Sequence, residues 1–100
     1  MKVKLTAHAR RRLRELRAYH TQNGNEAKGT RITRAILEKS KQLEQYPELG
    51  QEEPHLKHLG RGHRHLLVDS LYKIIYLIAK PIIFITDIFD TRQDPGRMNP

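Results

Sequence analysis

The chain has no cysteine among its 100 residues, so neither a disulfide framework nor a thiolate metal site can exist. Long hydrophobic runs are missing too. The longest, Ile74 to Ala79, is far below membrane-spanning length, and Met1-Lys2-Val3-Lys4-Leu5 has no apolar core of signal-peptide size. A soluble, unexported, cytoplasmic protein without membrane association is the expectation. Acidic groups are scarce: eleven Asp and Glu stand against nineteen Lys and Arg, a net charge of +8. Such a balance favours an acidic partner, either nucleic acid or a negatively charged protein. One hundred residues allow one domain, 1–100, burying roughly 65% of the surface that its unfolded chain exposes.

The positive charge is concentrated. Residues 1–20 carry seven basic groups against Glu15 alone, and residues 54–66 add Lys57, Arg61 and Arg64 with no acid. Residues 26–53 nearly balance, with five basic and six acidic groups.

Tyr72 to Arg92 packs two strand-length apolar runs around a break at Ala79, Lys80 and Pro81, the pattern of a β-hairpin. Its far end turns polar at Asp90, Thr91, Arg92, Gln93 and Asp94. Upstream, Lys2 to Leu5 alternates basic and apolar residues as a short strand does, and Thr6 offers an N-cap. From Ala7 onward Ala9, Leu13, Leu16 and Tyr19 form a helical stripe, with Arg10, Arg11, Arg12, Arg14 and Arg17 on the remaining faces. Gly24 suits a left-handed end to this helix, and Asn25 a cap for the next. The second helix is expected from Glu26 to Tyr46, where Pro47 stops it; Gly29 inside it predicts either a loose first turn or close packing. Glu48 to Gly62 reads as a long polar loop, His63 to Asp69 as a strand, Asp69-Ser70 as a tight turn, and Tyr72–Ala79 and Ile82–Phe89 as two further strands. Both faces of that last pair are largely apolar, so it should be central, with helices on one side and some cover on the other. The predicted fold is α+β, a helical hairpin on a mainly antiparallel four-stranded sheet in the order β-α-α-β-β-β.

Four strings in this order carry a resemblance over nearly the whole chain. They are the Ala-Arg-rich first helix (Ala9 to Leu16), Tyr46-Pro47-Glu48-Leu49-Gly50, Tyr72-Lys73-Ile74-Ile75-Tyr76, and Thr91-Arg92-Gln93-Asp94-Pro95. Together they are similar to the RelE/ParE superfamily, the toxins of type II toxin–antitoxin (plasmid stabilisation) modules, with the Tyr-Pro-Glu-Leu-Gly and Arg-Gln-Asp-Pro strings closest to the ParE branch. The resemblance implies a helical hairpin on a twisted sheet and a cognate antitoxin whose partly disordered segment wraps the toxin. ParE-like members poison DNA gyrase. RelE-like relatives cut messenger RNA in the ribosomal A site.

RNA cleavage needs an acid, a base and a cation that converge on one phosphate. Glu53-Pro54-His55-Leu56-Lys57-His58 resembles the loop that supplies a carboxylate and a lysine in YoeB-like ribonucleases, and Lys73 stands where those enzymes carry a strand arginine. The chain departs from that pattern after its last strand, where Phe89-Asp90-Thr91-Arg92-Gln93 has no histidine or tyrosine to move a proton. Lys73 also lacks the bidentate fork of arginine. For Glu53 and Lys57 the competing reading is a solvated loop.

His55, His58, His63 and His65 lie within eleven residues, but no carboxylate spacing completes a metal signature, so no metal and no cofactor is expected. The arginine-rich helix fits a solvated face, a docking surface for an acidic antitoxin segment, or a nucleic-acid contact. With no aromatics between the arginines there is no base-stacking platform, and direct nucleic-acid binding is not expected without a protein target. Any sheet edge or face that the helices leave bare is a place for an antitoxin strand or helix.

The expected function is therefore a ParE-like toxin that inhibits gyrase, neutralised by antitoxin and not itself catalytic. Target contacts are expected at Lys57, Arg61, Arg64, Arg92, Gln93 and Asp94, and antitoxin contacts at Arg10, Leu13, Arg14 and Arg17. The alternatives are a ribosome-dependent endoribonuclease using Glu53, Lys57 and Lys73, and a non-toxic homologue that only binds an antitoxin.

Overall fold

Alternation in the first five residues becomes a short strand, β1 (Lys2–Leu5), in the computed structural model, which describes residues 1–100. Thr6 then caps helix α1 (Ala7–Gln22), its Oγ1 accepting the Ala9 amide at 3.1 Å. Three members of the predicted apolar stripe, Ala9, Leu13 and Leu16, lie in the core, whereas the fourth, Tyr19, is 49% exposed and the buried position on the last turn is taken by His20. Leu13, expected as an antitoxin contact, is thereby withdrawn from the surface, because it belongs to the stripe that seats α1 on the sheet. Gly24, with φ of +72°, reverses the chain.

Helix α2 (Glu26–Gln42) starts at Asn25, but the asparagine side chain makes no capping bond. Gly29 is there for closeness: a Cβ on it would lie 3.0 Å from the His20 Cβ of α1. The helix ends four residues before the predicted Tyr46. Leu43, Glu44 and Gln45 already bond to carbonyls three residues back, a tightening that precedes Pro47, which disfavours helical backbone at Tyr46.

The sheet has five strands rather than four, ordered β1-β5-β4-β3-β2. The extra strand is the two-residue β2 (Gln51–Glu52), inside what reads as loop, and it pairs with the start of β3 (Arg64–Val68). Two residues are too few for any periodicity to register. Asp69 and Ser70, both at positive φ, turn β3 into β4 (Tyr72–Ala79). Lys80 and Pro81 alone join β4 to β5 (Ile82–Asp90), so Ala79 belongs to the strand and not to the break. β1 runs parallel to β5, and every other pairing is antiparallel.

One face of the sheet receives the helices. Leu66, Val68, Tyr72, Ile74, Tyr76, Ile83, Ile85 and Ile88 meet Ala9, Leu13, Leu16, Ile32, Ile36 and Leu43 in one apolar core. Shortening any of the fully buried isoleucines to alanine removes about 2–5 kcal/mol of stability. The opposite face carries a smaller cluster, Leu56, Ile75, Phe89 and Met98, contributed partly by two 3-10 helices, Pro54–Leu59 and Pro95–Arg97, and the residue after the second. No helix is long and apolar enough to cross a membrane.

Candidate functional site

The string Tyr46-Pro47-Glu48-Leu49-Gly50 owes its shape to a residue far away in sequence. The Tyr76 hydroxyl of β4 donates to the Pro47 carbonyl at 2.8 Å and accepts the Gly50 amide at 2.9 Å. Gly50 sits so close that a Cβ there would lie 2.4 Å from the His65 carbonyl oxygen and 2.8 Å from the Tyr76 ring. The Arg64 guanidinium closes the turn from the other side, donating to the Gly50 carbonyl at 2.6 Å and to that of Glu48 at 3.3 Å. Arg64, predicted as a target contact, is thus a strut of the loop.

Glu53 leads the chain into the first 3-10 helix. It accepts the His55 amide at 2.9 Å and the Lys73 ammonium at 2.7 Å, and His65 Nδ1 lies 3.1 Å from the same oxygen. The carboxylate has no exposed surface, against the solvated-loop reading. Burial by itself pushes its pKa up. The bonds from Lys73 and the His55 amide outweigh that and hold it below the usual glutamate range. Burial lowers the pKa of His63 and of His65, with Arg61 acting in the same sense on the first and Lys73 on the second; His63 Nδ1 has no hydrogen-bond partner. Lys57, on the 3-10 helix, and Arg61 beyond it are exposed and enter no ion pair. Glu53 and Lys73 therefore come together as the sequence suggests, while Lys57 stays apart in solvent. The four clustered histidines do not assemble: no group of three metal-ligating side chains converges.

At the end of β5 the polar tail is largely tied to itself. Arg92 is forked onto Asp90, with Nη2 2.8 Å from Oδ2, and Asp94 caps the second 3-10 helix by accepting the Gly96 amide at 3.0 Å. The Arg92 bond is the leading cause that lowers the Asp90 pKa, and the partnership raises that of Arg92 further. Gln93 is exposed and free of such bonds. Arg92 and Gln93 line a cleft of about 380 Å³ beside α1, floored by Leu16, Ile88 and Phe89 with Tyr19 at its rim. Behind it, buried His20 faces the Tyr72 hydroxyl at 3.2 Å; burial, then Lys28 and Arg92, push the His20 pKa down.

On the helical hairpin, Arg10, Arg14 and Arg17 are exposed without ion-pair partners, as a docking surface requires. Arg12 is different: its Nη1 lies 3.3 Å from Glu15, and its Nε 3.6 Å from the fully buried Asp87. A groove of about 380 Å³ adds residues that the sequence did not single out for binding, Arg34 and Lys41 beside Arg17, with Leu37 45% exposed among them. Leu37 lies off the buried stripe of α2, which was its one visible signal. Asp87 was missed as well. It holds His8 at 3.1 Å and the Asn99 amide at 3.1 Å, and a lone carboxylate inside Ile-Thr-Asp-Ile-Phe was the clue to it.

A helical hairpin on one face of a mainly antiparallel sheet, ringed by cations, defines a small basic α+β protein with the architecture of the RelE/ParE toxins. The profile described as "ParE toxin of type II toxin-antitoxin system, parDE" matches residues 3–95, and the chain belongs to that family. Among solved structures, a chain of the "Chromosomal ParDE TA system from P. aeruginosa" is similar, with a TM-score of 0.72 over 90% of this chain and 95% of that one. At 20% identity this likeness is one of fold. No curated protein matches the chain closely.

Proposed function

We propose that this ParE-family chain is the toxin of a type II module that stops bacterial replication by inhibiting DNA gyrase and is silenced when a cognate antitoxin binds it directly in the cytoplasm. The observation that carries the choice over ribonuclease activity is the state of Glu53. A general base must reach the proton it abstracts. Glu53 is sealed under the 3-10 helix and neutralised by Lys73, which gives it the role of a structural ion pair. The end of β5, from Asp90 to Asp94, also lacks the histidine or tyrosine with which the ribonucleases of this fold move a proton.

Arg10, Arg14 and Arg17, joined by Arg34 and Lys41 around Leu37, suit an acidic antitoxin segment that carries an apolar side chain. Like charges crowded on two helical turns repel one another, so a negative partner gains by relieving them. Lys57, Arg61 and Gln93 suit the target, because nothing within the monomer occupies them; Arg92 joins them once Asp90 yields its grip.

Expression in a growing bacterium tests the reading. Filamentation with chromosome breaks is expected, together with loss of supercoiling activity when purified chain is added to gyrase. Translation arrest with codon-biased mRNA cuts would replace it with the ribonuclease, and unimpaired growth with the inert antitoxin-binding homologue.

A further inference from the structure

The cleft at the end of β5 has the dimensions of a small-molecule site. Its volume of about 380 Å³ falls within the usual range of about 300–1,000 Å³. Leu16, Ile88 and Phe89 give it an apolar floor. Tyr19 stands at the rim, 49% exposed, steadied by an edge contact with His20 at 5.2 Å between ring centroids. A ring left half in water beside an apolar hollow gains by stacking on a flat ligand. Arg92 lines the same cleft, and two bonds to Asp90, from Nε at 3.0 Å and from Nη2 at 2.8 Å, fix the plane of its guanidinium. A fixed guanidinium plane is a second stacking surface. The Gln93 side chain, exposed and without a hydrogen bond, adds an amide that both donates and accepts.

Four charged groups line the cleft, two of each sign. Asp90 is spent on Arg92. Glu15 meets Arg12 through one contact of 3.3 Å, with the glutamate side chain 55% exposed, and a surface pair of this kind yields to a stronger acceptor. Arg12 itself is anchored, its Nε 3.6 Å from buried Asp87. A phosphate carries more charge and more acceptor oxygens than a carboxylate, so it can take Arg12 from Glu15.

We propose that this cleft holds a free purine nucleotide, its base stacked on Tyr19 and Arg92, its edge bonded by the Gln93 amide and its phosphate on Arg12. The amide suits adenine, whose N6 and N7 offer one donor and one acceptor side by side. A strand of nucleic acid fits less well, since one exposed ring serves one base and there is no ladder for the next. An acidic peptide fits less well too, because its carboxylate offers Arg12 nothing that Glu15 does not. The site shares Arg92 and Gln93 with the target surface of the toxin reading but does not rest on it, and binding is read on the purified chain without gyrase.

The probes are AMP, ribose 5-phosphate and an RNA hexamer of adenosine, titrated into the full-length chain by calorimetry with amide chemical shifts followed in parallel. AMP is expected to bind at least about tenfold tighter than ribose 5-phosphate, the contribution of one stacked base, shifting amides of residues 15–19 and 88–93. Tyr19→Ala, outside the core, should cut the affinity for AMP about tenfold and leave that for ribose 5-phosphate unchanged. Gln93→Ala, at an exposed position, should cut it about threefold. Glu15→Gln should raise it about threefold, since the phosphate no longer competes for Arg12, a gain that a merely structural role of Glu15 does not give. Equal affinity for AMP and ribose 5-phosphate, shifts away from the cleft, AMP binding indifferent to Tyr19, or a hexamer that binds more tightly than AMP would each overturn the proposal. Growth arrest that persists after such a failure would leave the toxin reading intact.

Discussion

At the scale of single residues, the glycine of Tyr-Pro-Glu-Leu-Gly is set by what surrounds it and not by its own torsion angles. Its amide bonds the Tyr76 hydroxyl, its carbonyl takes Arg64, and there is no room for a methyl group between the His65 carbonyl and the Tyr76 ring. Gly50→Ala should therefore cost about 1–3 kcal/mol, the usual penalty of forcing atoms into a filled site. Urea unfolding followed by circular dichroism measures it. An unchanged midpoint would mean that the turn yields freely and that Tyr76 does not pin it. Glu53 teaches a second lesson at this scale: the carboxylate that looks catalytic by position is, like Asp87, completely removed from solvent.

Helix α1 shows how one element serves two purposes. Its stripe, Ala9, Leu13 and Leu16, packs on β5, while Arg10, Arg14 and Arg17 are left to solvent. Because the helix lacks acidic residues in its first turn, Thr6 is its principal N-terminal support. Thr6→Ala is expected to remove about 1 kcal/mol, which in a chain of this size lowers the melting temperature by about 4–8 °C. Differential scanning calorimetry reads this directly; a drop below 1 °C would show that packing alone holds the helix start. Among the strands, β5 carries most: Ile83, Ile85 and Ile88 for the helix side, Phe89 for the other, and Asp87 linking α1 to the tail.

Across the whole molecule, buried titratable groups make stability depend on acidity. His20, His63 and His65 have folded pKa values below the ordinary 6.5, so as pH falls past that value the unfolded chain takes up protons that the folded one refuses, and stability declines. Glu53, held below the ordinary 4.5, adds stability that is complete above that value and is lost as pH falls through its folded pKa. Chemical unfolding between pH 8 and pH 3 should show a shallow loss beginning near 6.5 and a steeper one below 4.5. His63→Gln should flatten the first phase, and Glu53→Gln the second. A flat profile from pH 7 to pH 5 would mean that His63 escapes to solvent without cost.

Local pattern alone determined the helical hairpin, the β4–β5 hairpin, the parallel first strand's apolar face and the unequal distribution of charge, since each depends on periodicity or composition within a few residues. Two-residue β2 and the early end of α2 were not legible, one being shorter than its own period and the other set by winding ahead of Pro47. Only the assembled tertiary structure decided which cations remain free. Arg64 and Arg92 look like Lys57 and Arg61 in a string of letters, yet the first braces the Gly50 turn and the second is forked onto Asp90, because a side chain's availability depends on acceptors that the fold carries to within 3 Å of it.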